Sequence, residues 1–158
     1  MTDRIDLTDY KTKTASTLKS TLRWGHELVF QGRTQRGYEL DFDAAMEWGC
    51  SPTEALLLSF AGCMAIDIVS ILRKQRVELT EFHVDISADR NPTPPQYFTA
   101  MTLDLKLKGH GLDDAKVQRA IGLSQEKYCS VRHTLRPDLK ITINTILENE
   151  PPHEQEPA

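Results

Sequence analysis

The first regular pattern along the chain is a two-residue alternation. Leu28 and Phe30 alternate with other residues, the segment from Gly32 to Gly37 offers a turn, and Tyr38, Leu40 and Phe42 resume the period. This predicts an antiparallel hairpin, with an extra strand expected over residues 17–24. From Pro52 to about Arg76 the pattern becomes helical. Ser51 suits the N-cap, Pro52 the first helical position and Glu54 the third, which together make a capping box. The body of this helix is apolar almost all round, from Leu56 to Leu72, so it is expected to be buried on most sides and central to its domain.

Phe82, Val84 and Ile86 then alternate as a strand. The run Asn91-Pro-Thr-Pro-Pro95 cannot continue it and predicts a loop. Met101, Leu103, Leu105 and Leu107 alternate as the partner of that strand in a hairpin. Asp113 can cap a second helix running to about Tyr128, with Val117, Ile121, Tyr128 and Val131 near one face. A last strand is expected over Lys140–Leu147, after Pro137. Strands, helix, two strands, helix and strand in this order predict an α+β fold with sheet packed against helices.

With 158 residues the chain is expected to form one domain with a real core. Residues 1–16 read as a loose arm, residues 17–147 as the single folded domain, and residues 148–158 as a disordered acidic tail. The net charge of −4 and the lack of a lysine- or arginine-dense tract argue against nucleic acid as a partner. The polar, acidic start is unlike a secretory signal. Asp67 interrupts the longest apolar run and Arg73 and Lys74 end it, so no membrane span is expected. The cytoplasm is the expected location, where three cysteines, an odd number, argue for free thiols rather than a disulfide scaffold.

Two of those cysteines sit in helical segments with chemical neighbours. On a helical wheel Ser59, Asp67, Ser70 and Lys74 fall within roughly 40° of Cys63, a narrow polar stripe on an oily helix. Buried without partners, such groups cost on the order of 1–3 kcal/mol each, so the stripe should meet polar partners, water or another subunit. Arg132 and His133 follow Cys129 at i+3 and i+4 if the helix continues. If it breaks, Cys129 stands just before a new short helix. Either arrangement favours a thiolate. The pattern leaves two readings of each thiol, a small buried hydrophobe or a reactive group. Cys50 reads as incidental. No CxxC or closely paired His/Cys spacing is present, so no metal site is expected, and no P-loop, dinucleotide fingerprint or G-x-S-x-G elbow calls for a cofactor.

The run Ser51-Pro-Thr-Glu-Ala-Leu-Leu-Leu-Ser-Phe-Ala-Gly-Cys63-Met-Ala-Ile-Asp67 resembles the central-helix signature of the OsmC/Ohr family of osmotically inducible and organic hydroperoxide resistance proteins. Tyr128-Cys129-Ser-Val resembles the family's second motif, usually Cys-Pro-Val. The resemblance covers residues 17–147. It implies antiparallel sheets packed against long central helices in an intertwined homodimer, and thiol peroxidase chemistry. Cys63 would then be the peroxidatic nucleophile that attacks an organic hydroperoxide. Cys129 would resolve the resulting sulfenic acid as a disulfide, later reduced by a dithiol. Peroxidase members carry glutamate directly after the proline, where this chain has Thr53, and Glu54 follows one position later. Arg23, Arg33 and Arg36 are the candidates for the family's activating arginine. The alternative reading keeps the fold without peroxidase activity, for binding an apolar ligand or partner or for slow redox sensing.

Overall fold

The computed structural model describes Lys11 and residues 16–151. The chain divides into two compact units, Met1–Leu56 and Leu57–Ala158.

The first unit holds β1 (Ser20–His26), β2 (Val29–Thr34) and β3 (Glu39–Asp43) in one antiparallel sheet of order β1-β2-β3. Phe30 stands between Trp24 and Phe42 in register, and Gly32 between Leu22 and Leu40. The turn falls later than predicted, because β2 runs on to Thr34 and the reversal is closed by hydrogen bonds between Thr34 and Tyr38 and between Gly37 and Thr34. After β3 the chain wraps around the Asp43 carboxylate. One oxygen accepts from the Ala45 N–H at 2.9 Å, and the other from those of Glu47 and Trp48, each at 3.1 Å. These donors, with Ala45 first, hold the Asp43 carboxyl below its usual range.

Helix α1 (Pro52–Lys74) opens with the predicted cap: the Glu54 N–H donates to Ser51 Oγ at 3.2 Å, and Glu54 Oε2 accepts from the Ser51 N–H at 2.8 Å. Contrary to the expectation from Asp67, this helix is long and apolar enough to cross a membrane by length and composition. Its side chains Phe60, Met64, Ile68 and Leu72 instead belong to a core shared with the second unit's sheet.

That sheet contains β4 (Glu78–Arg90), β5 (Phe98–His110) and β6 (Lys140–Glu150) in the order β4-β5-β6. β4 and β5 form the predicted antiparallel hairpin, with Val84 opposite Leu105 and Ile86 opposite Leu103. β5 and β6 pair in parallel, so the expectation of purely antiparallel sheets is corrected. The reason is connectivity. A parallel neighbour needs a long crossover, and the chain supplies one as α2 (Asp114–Leu123), a π-helical turn (Ser124–Tyr128) and α3 (Ser130–Thr134). Strand alternation sends Met101, Leu103, Leu105 and Leu107 into the core, where they meet α1 together with Val117, Ala120 and Ile121 of α2. β6 also runs past its predicted end. Glu148 and Glu150, assigned in sequence to a disordered tail, are strand residues paired with Lys108 and His110. Residues 152–158 of that tail, and all of the predicted arm except Lys11 and Ser16, lie outside the described residues.

Candidate active site

One turn of α1 separates Cys63 from Asp67, so both side chains leave the helix on one face. Cys63 is half-buried, whereas Asp67 is only 2% exposed. A carboxylate that deep needs a partner. It has one in Ser124, whose Oγ donates to Asp67 Oδ2 at 2.8 Å. The polar stripe on the oily helix thus meets a polar group, as the cost of burial requires.

Ser124 begins the π-helical turn, where α2 widens so that the Cys129 N–H reaches back to the Ser124 carbonyl at 2.8 Å. Turns of this kind are frequent at functional sites because they shift the side chains that follow out of helical register. The helix does not continue through Cys129. The cysteine is extended (φ −73°, ψ 98°) and caps α3, with the Arg132 N–H donating to its sulfur at 3.3 Å. Its side chain is fully buried. The cysteine sulfurs of Cys63 and Cys129 and a carboxylate oxygen of Asp67 lie within 4.8 Å of one another. The fold therefore brings together two thiols that are 66 residues apart in sequence (129 − 63).

The electrostatics correct the sequence reading of Cys129. Its thiol is pushed up to about 12, chiefly by burial, with Cys63 and Asp67 adding to the rise and the Arg132 backbone N–H opposing it. Of the neighbours expected to favour a thiolate, Arg132 does so through its backbone amide, which burial outweighs, and the His133 ring meets the Glu126 carbonyl at 3.1 Å. Burial thus favours the neutral thiol at Cys129.

Cys50 lies in the first unit, its thiol 3.7 Å from the Asp41 carbonyl. Glu54, one place beyond the position that peroxidase members use, closes the helix cap, and the Ser51 N–H holds its carboxyl below the usual range. Arg23 lies on β1, Arg33 on β2 and Arg36 in the turn after it, all exposed in the first unit. Ser124 was missed in sequence, although it carried a signal. It continues the i, i+3, i+4, i+7 stripe of Val117, Ala120 and Ile121, a polar residue on a core-facing row.

The second unit is an α+β arrangement that brings two thiols and a carboxylate within 4.8 Å of one another. The chain belongs to the OsmC-like protein family, whose model matches residues 43–144. It is 36% identical to Protein YhfA of Escherichia coli K12 over 126 residues, covering 79% of this chain and 94% of that protein. Among solved structures it resembles a protein of Aquifex aeolicus VF5 (25% identity, TM-score 0.78, 87% of this chain and all of that one). It also shares its fold with the organic hydroperoxide resistance protein OhrB of Bacillus subtilis (19% identity, TM-score 0.57, 82% of this chain and 98% of that one).

Proposed function

We propose that this chain is a thiol-dependent, peroxidase-like protein that reduces organic hydroperoxides through Cys63 and Cys129, in a general role against oxidative stress. The observation that carries this reading is the convergence of a half-buried and a buried thiol within 4.8 Å of each other. Exposure and the direction of the Cys129 shift divide the labour. Cys63 is reachable from outside, so its thiolate attacks the distal peroxide oxygen. The O–O bond breaks, the alcohol leaves with a proton, and Cys63 becomes a sulfenic acid. Cys129, protected and neutral, then forms the S–S bond as its proton leaves with the sulfenic hydroxyl as water, and an external dithiol reduces the disulfide. A fold shared with a protein named for organic hydroperoxide resistance supports this reading. Free thiols fit the reducing cytoplasm, the location we assign on that ground.

The test is stopped-flow reaction of the reduced protein with cumene hydroperoxide and with hydrogen peroxide, following thiol loss. Wild type should consume cumene hydroperoxide far faster than free cysteine does. Cys63→Ser should abolish this consumption, and Cys129→Ser should leave the first step intact while the sulfenic acid accumulates. Rates no better than free cysteine would sink the peroxidase.

One observation favours the second reading, an OsmC fold used for slow redox sensing or for binding an apolar ligand or partner. A carboxylate oxygen of Asp67 lies within 4.8 Å of the Cys63 sulfur, and Glu54 is committed to its helix cap. Disulfide formation over minutes rather than milliseconds would favour that reading.

A further inference from the structure

The spacing of Cys63 and Asp67 on α1 is one that metal sites use, since ligands at i and i+4 on one helix face converge on a single ion. A search of the sequence for paired His and Cys alone passes over it, because the second ligand is a carboxylate and the third arrives from a distant turn. We propose that Cys63, Asp67 and Cys129 form a binding site for one thiophilic divalent cation of the zinc class, and that its occupancy excludes the Cys63–Cys129 disulfide.

The ligand atoms of the three residues lie within 4.8 Å of one another. Bonds of about 2.3 Å to sulfur and about 2.0–2.2 Å to oxygen place the ligands of a tetrahedral ion about 3.5–3.8 Å apart, so closure takes about 1 Å of side-chain movement. The set is soft enough for zinc, with two sulfurs and one oxygen, and too poor in oxygen for magnesium or calcium. Ser124 supplies the outer support such sites use, because its hydroxyl fixes the Asp67 carboxylate by donating to Oδ2. Asp67 and Cys129 are buried, whereas Cys63 is half-buried, which gives an entry path. On binding, each thiol gives its proton to solvent as its sulfur takes the metal. Both sulfur electron pairs are then committed to the ion, so a bound chain cannot form the disulfide until the metal leaves. The site stands whether or not the chain turns over a hydroperoxide.

The test is titration of the reduced full-length protein with cobalt(II), as a spectroscopic substitute for zinc, followed by zinc competition against a chromophoric chelator. One cobalt per chain should bind with sulfur-to-metal charge transfer in the near ultraviolet and tetrahedral d–d bands in the visible, and zinc should displace it. Asp67→Asn should weaken binding at least about tenfold, and Ser124→Ala about tenfold or more, the usual effect of removing an outer-shell partner. Diamide oxidation checks that both variants still bring the thiols together: each should form the Cys63–Cys129 disulfide, and bound zinc should block this in wild type. Absence of the charge-transfer band would overturn the site. So would zinc affinity unchanged in Asp67→Asn, or in the double variant Cys63→Ser, Cys129→Ser.

Discussion

At the scale of single residues, Cys129 is set by its burial. A thiol that burial pushes up to about 12 should be alkylated more slowly than a free cysteine, so Cys63 should react first and Cys129 only when the fold opens. The raised value has a second consequence. In the unfolded chain the thiol ionises near its ordinary 9.0, in the folded chain near 12, so between these limits the folded state binds more protons. Stability from this group is complete below about pH 9 and is lost as pH rises toward 12. Denaturation midpoints measured from pH 8 to 11 should therefore fall less steeply in Cys129→Ala than in wild type, and parallel slopes would refute the assignment.

At the scale of elements, local signals and tertiary ones part company. The capping box of α1 was readable because every atom in it lies within four residues. Ser51→Ala should cost about 1 kcal/mol, read as a lowered urea midpoint with unchanged slope. A loss under a few tenths of a kcal/mol would mean that tertiary packing, not the cap, fixes the helix start. The alternation of β4 and β5 and the cap at Asp113 were legible for the same reason. The parallel pairing of β6 was not, because strand partners depend on the crossover and not on the strand's own pattern. The site divides in the same way. Cys63 and Asp67 share a helix face that a wheel reveals. Cys129 joined them in the sequence reading only through the family resemblance, and Ser124 depends on a π-helical turn that no local pattern announced.

At the scale of the whole molecule, α1 poses a physical problem that its own chain does not solve. Leu58 is 64% exposed and Ile66 57% exposed on a helix whose opposite face is core. With Gly62 and Val69 they recur at intervals of four, four and three residues, the spacing of a seam between helices. A side chain added at Gly62 would meet nothing within 4 Å, so this row is open and smooth. The family resemblance implies a homodimer, and we propose that a second copy covers this row with its own, helix against helix, as a two-fold interface requires. Wild type should then sediment as a dimer at micromolar concentration. Ile66→Glu would place an unpaired carboxylate at a dry contact, at a cost on the order of 3 kcal/mol, and should weaken association about a hundredfold or more. The core behind the row is untouched by that change, so the monomer should keep its helical circular dichroism and its Cys63–Cys129 disulfide under diamide. A wild type that sediments as a monomer, or an Ile66→Glu protein that stays dimeric, would place the contact elsewhere or remove it.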